Sequence, residues 1–129
     1  MRQAPEILAI RVGIYAALKK WDLMRTVAAK LARDDPDNVH WIVCLAYATR
    51  RAGSIDAAKV ILLEAVERHP EAAILHYNLA CYECQLGGLE VAKARLSHAF
   101  KLDGNFRALA LDDEDLKPIW DSLGEAPRG

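Results

Sequence analysis

The chain has 129 residues, of which 53% are apolar and 27% charged, with a formal net charge of −1. That balance supplies the core of one domain and excludes intrinsic disorder, and near-neutrality excludes a surface built to neutralise nucleic-acid phosphates. Three cysteines, an odd number without recurrent spacing, do not make a disulfide framework, so reduced thiols in the cytoplasm are expected.

Composition points to helices. Alanine occurs 22 times against 7 glycines and 5 prolines, a balance that favours closely packed helices. The first stretch, from Pro5, is apolar but interrupted by Glu6 and Arg11, which fits an amphipathic helix rather than a signal peptide. No run approaches the 18 or so uncharged apolar residues that a membrane span needs. Next, Asp37-Asn38 offers a helix N-cap, and residues 39–51 place Ile42, Leu45, Ala46 and Thr49 at helical spacing. Gly53 supplies a turn and Ser54 a second cap, opening a helix over 55–68 that Pro70 stops. A third pair follows over about 71–86 and 89–102, with Gly87-Gly88 as its turn. Pro118 is tolerated only in a first helical turn, which places a last helix over about 115–123, and residues 124–129 read as a frayed tail.

These elements repeat. Leu45 and Leu79, Ala46 and Ala80, Gly53 and Gly87, Ala58 and Ala92, Leu62 and Leu96, Ala65 and Ala99, and Pro36 and Pro70 all stand 34 residues apart. The unit over about 5–38 is a degenerate copy, with Arg11, Lys19 and Met24 at the matching positions, as expected of a terminal repeat with one neighbour. The alanines belong where two helix backbones cross closely, with leucines filling the remaining volume.

The pattern Leu-Ala, Gly, Ala, Leu, Ala, Pro over 34 residues resembles the tetratricopeptide repeats, and residues 5–106 carry that resemblance. Thr49 and Glu83 stand where the family usually has tyrosine, His76 where it has a bulky apolar residue, and Gly104 where it has proline. The tail, with Asp115-Leu116-Lys117-Pro118-Ile119-Trp120, is similar to the ends of bacterial members of that family. The resemblance implies one all-α domain: three helix pairs in a right-handed superhelix (repeats 5–38, 39–72 and 73–106) closed by a capping segment over 107–123. Leu109, Leu116, Ile119, Trp120 and Leu123 supply the apolar face of that cap, and Asp112, Asp113, Glu114 and Asp115 favour a helix N-terminus.

The resemblance also implies the function class. First helices of such repeats line a concave groove, which here presents His40, Tyr47, Arg50, Arg51, Tyr77, Asn78 and Gln85. Tyrosines give rigid contact area and arginines charge-assisted bonds to carboxylates, so the expectation is a non-enzymatic adaptor that binds a protein or peptide in this groove. The carboxylate clamp of chaperone-binding members is not matched, because Ala9, Gly13, Cys44, Ile74 and Asn78 hold its positions and only Asn78 fits. Two alternatives stand beside the adaptor. Ile7, Ile10, Ile14 and Leu18 could bury against a second copy, giving a homo-oligomer. Cys81-x-x-Cys84 has ligand-like spacing, but it lies in mid-helix without a second knuckle and away from a helix start, so neither zinc nor redox chemistry is favoured. No serine, histidine or glycine-rich pattern assembles catalytic parts, and no cofactor, metal, nucleic-acid or membrane partner is expected.

Overall fold

Local signals set the helix boundaries in the computed structural model, which describes residues 4–124. Helix α1 (Pro5–Ala17) opens with proline at its first position, where no N–H is needed. The turn into α2 (Trp21–Asp34) passes through Lys19 at φ 57°, the left-handed conformation that glycine usually takes and that Gly87 takes, at φ 91°, in the matching turn 68 residues on. The Asn38 side chain accepts the His40 N–H at 3.0 Å and starts α3 (Val39–Ala52). Ser54 caps α4 (Ile55–Arg68) by accepting the Ala57 N–H at 3.1 Å. Then come α5 (Ala73–Gln85), α6 (Leu89–Leu102) and the short α7 (Phe106–Ala110).

The described residues thus make an all-α structure, consistent with a helical-repeat protein. The chain divides into two compact units, residues 1–69 and 70–129. In the first unit α1 packs on α2, α2 on α3, and α3 on α4. Leu8, Val12, Met24, Ala28, Leu31 and Ala48 form a core cluster there, flanked by Tyr15, Trp21, Trp41 and Leu45. In the second unit α5 packs on α6 and on the C-terminal segment. All six alanines of the repeat pattern, Ala46, Ala58 and Ala65 with Ala80, Ala92 and Ala99, are fully buried, as are Leu62 and Leu96. A methyl group at such a crossing lets helices approach, where a larger side chain would have to displace a backbone.

The last element departs from the expected helix over 115–123. Residues Glu114–Ile119 form a 3-10 helix, and only Trp120–Gly124 (α8) are α-helical. Pro118 is the physical reason. It lacks the N–H an α-turn would use and disfavours the α conformation at Lys117, so the chain tightens. Asp113 caps this segment, accepting the Asp115 N–H at 3.0 Å. Of the expected tail over 124–129, residues 125–129 lie outside the described residues.

Candidate functional site

The seven sequence-predicted residues divide between the units: His40, Tyr47, Arg50 and Arg51 on α3, and Tyr77, Asn78 and Gln85 on α5.

On α3, the cap at Asn38 sets the helical register, and His40, Cys44, Tyr47 and Arg51 then follow one another along one face. His40 lies against Trp41, ring centroids 4.7 Å apart, and its Nε2 is 3.6 Å from Cys44 Sγ. Tyr47 is 40% exposed. Its ring meets Trp21 edge-on at 5.6 Å, while the Arg51 guanidinium sits 5.1 Å above the same indole. Trp21 is therefore contacted by an aromatic edge and a cation together, an arrangement that holds both side chains without removing them from solvent. Beside them opens a cleft of about 420 Å³ lined by Lys19, Lys20, Trp21, Asp22, Leu23, Arg51 and Ala52. Asp22 is bonded to Arg25 at 2.9 Å, so the cleft keeps a basic rim. Lys19, Lys20 and Trp21 are functional candidates that sequence reasoning missed. The signal available was an aromatic directly after two lysines, at the turn of the degenerate repeat.

On α5 the face is already occupied. Tyr77 is buried, stacks on Phe106 at 4.9 Å, and donates its hydroxyl to Asp113 Oδ2 at 2.8 Å. One turn on, Cys81 Sγ donates to the same oxygen at 3.6 Å. A further turn on, Gln85 Nε2 donates to the Asp115 carbonyl at 2.9 Å. Positions 77, 81 and 85 thus carry the 3-10 segment along their length, and Trp120 Nε1 closes it back on the Ala110 carbonyl at 3.0 Å. Asn78 turns to its own helix, donating to the Ile74 carbonyl at 2.9 Å.

Electrostatics follow from this covering. Burial, then the bond to Asp113, pushes the Tyr77 phenol far above its ordinary range. Burial raises the Cys84 thiol, with the Asp115 charge adding to it, and burial also raises Cys44. Both groups are held as thiols, the reverse of what a nucleophilic or redox cysteine needs. Elsewhere on α5, His76 donates Nε2–H to the Pro70 carbonyl at 2.8 Å and lies across the His98 ring at 4.4 Å.

No protein-family model matches the chain, and no curated protein matches it. Among the described residues no helix is long and apolar enough to cross a membrane.

Proposed function

We propose that the chain is a non-enzymatic interaction module of the tetratricopeptide-repeat kind, acting in the cytoplasm, which binds a peptide segment on the exposed face of α3. The observation that carries this reading is the exposed row on α3, where Tyr47 and Arg51 flank Trp21 at the mouth of a basic cleft. Aromatic area with low conformational entropy next to a fixed guanidinium suits a peptide with an apolar side chain beside a carboxylate. The 34-residue period supports it from a second side. Tyr47 and Arg51 correspond to Cys81 and Gln85, which hold a short acidic segment of this chain against α5.

A peptide-display selection against the immobilised protein tests the reading. The wild type should enrich acidic sequences with an apolar residue, and Tyr47→Ala/Arg51→Glu should weaken the selected peptides at least about tenfold while staying folded. Equal binding by the variant, or no enrichment by the wild type, rejects it.

A second reading, self-association through α1, has its own observation: Ile7, Ile10, Ile14 and Leu18 are 48%, 63%, 49% and 60% exposed.

A further inference from the structure

The junction between α5 and the 3-10 segment carries more than a packing contact. Cys81 on α5 and Asp113 and Asp115 on the segment bring one sulfur and two carboxylate oxygens within 4.8 Å of one another. We propose that these three side chains bind a thiophilic divalent cation of the zinc type, which pins the C-terminal segment to α5.

The geometry is close to what such an ion asks for. With Zn–S near 2.3 Å and Zn–O near 2.0 Å, tetrahedral ligands place sulfur and oxygen about 3.5 Å apart. Cys81 Sγ and Asp113 Oδ2 are 3.6 Å apart. The ligands come from two elements whose spacing is fixed independently, by Tyr77 to Asp113 at 2.8 Å and by Gln85 to the Asp115 backbone at 2.9 Å. Asp115 is therefore held at its carbonyl, and its carboxylate reaches the remaining distance by side-chain rotation. Three protein ligands leave the fourth tetrahedral position to water.

Donor chemistry selects the ion. Calcium takes six to eight oxygens and magnesium near-octahedral oxygen and water, so a half-buried pair of carboxylates backed by buried sulfur suits neither. Sulfur with carboxylate favours zinc, with cobalt and cadmium as its spectroscopic substitutes. The balance is simple. The carboxylates bind as anions, each coordinating thiol gives up its proton to solvent, and no oxidant or reductant takes part.

Cobalt titration of untagged, reduced and chelator-stripped protein tests the site. The expected result is about one cobalt per chain, with a thiolate-to-cobalt charge-transfer band and tetrahedral ligand-field bands, both lost on adding zinc and unmoved by magnesium or calcium. Cys81→Ser should weaken binding by more than about 100-fold and remove most of the charge-transfer intensity. Asp115→Asn leaves the backbone bond to Gln85 in place and should weaken binding at least about tenfold. Tyr77→Phe, which touches Asp113 without being a ligand, should still bind. Should Cys81→Ser prove unfolded by circular dichroism, Asp115→Asn carries the test alone. Absence of the bands in the wild type overturns the proposal. So does undiminished cobalt affinity in a folded Cys81→Ser or Asp115→Asn variant, which would move any binding to Cys44 or to surface groups.

Discussion

His76 shows how one residue can be accommodated at a packing position where an apolar side chain is the usual solution. Its ring is almost fully buried, yet both nitrogens are placed: Nε2–H on the Pro70 carbonyl, and Nδ1 3.5 Å from the Arg95 guanidinium. The bare Nδ1 thus faces a cation, and the His98 ring lies at its side. Burial lowers the His76 pKa below its ordinary value, the nearby His98 and Arg95 charges lower it further, and the bond to Pro70 opposes them. The sign follows from linkage. Below the ordinary histidine value of about 6.5, the unfolded chain takes up a proton that folded His76 resists, so stability is full above it and falls with pH. Urea melts from about pH 8 to about pH 5, a range spanning that ordinary value, should show the loss. His76→Gln keeps an amide that can donate to the Pro70 carbonyl but cannot titrate, and it should flatten the profile. An unchanged slope in the variant would assign the pH dependence to other groups.

Between elements, Asp113 ties the 3-10 segment to α5. Its carboxylate caps the 3-10 segment through Oδ1 and receives the Tyr77 hydroxyl and the Cys81 thiol on Oδ2. Asp113→Ala removes the acceptor and leaves the buried phenol without it, a loss of about 2–3 kcal/mol for hydrogen bonds to a charged group. Tyr77→Phe removes the donor, and the double variant should be less unstable than the sum by about 0.5–3 kcal/mol, measured by denaturation in the presence of chelator. Strict additivity would mean that the bond contributes nothing. The helices that flank this contact were legible because their signals are local: Asn38, Ser54, Gly53 and Gly87 sit at the boundaries where the structure starts or ends α3, α4 and α5. The helix over 55–68 matches to the residue. The docking of Asp113 and Asp115 on α5 was not legible. It joins residues 36, 32 and 30 positions apart, and no periodicity encodes a contact made once. The C-terminal segment differs from expectation for the complementary reason. Placing Pro118 in the first turn of one α-helix predicts 115–123 as a unit, whereas the structure holds Pro118 inside a 3-10 turn that a short α-turn follows. The same asymmetry holds for the contacts around Trp21 in the candidate site. The repeat puts Tyr47 and Arg51 on one face of α3, whereas the indole that both contact comes from α2 and has no counterpart in the repeat pattern.

At the scale of the molecule, the question is whether α1 pairs with a second copy. Leu8 and Val12 face the core, and Ile7, Ile10, Ile14 and Leu18 do not. Each of the latter is about half exposed, and completing the burial of one such side chain is worth about 1 kcal/mol, given about 1.5–3 kcal/mol for full burial. An antiparallel pair of α1 helices would bury eight of these side chains, for about 8 kcal/mol. Association costs at least about 4 kcal/mol in lost translational and rotational freedom. The remainder, about 4 kcal/mol, corresponds to dissociation near 1 mM. The stripe on α1 therefore supports a weak dimer at most, unless other surface joins it. Sedimentation equilibrium up to about 1 mM should show the onset of dimer at that limit, since 4 kcal/mol corresponds to a millimolar constant. Ile10→Glu/Ile14→Glu, at positions exposed in the fold, should stay monomeric with little change in thermal stability. A micromolar dimer that survives this double substitution would place self-association elsewhere, and a monomer at every concentration would leave α1 as an open face.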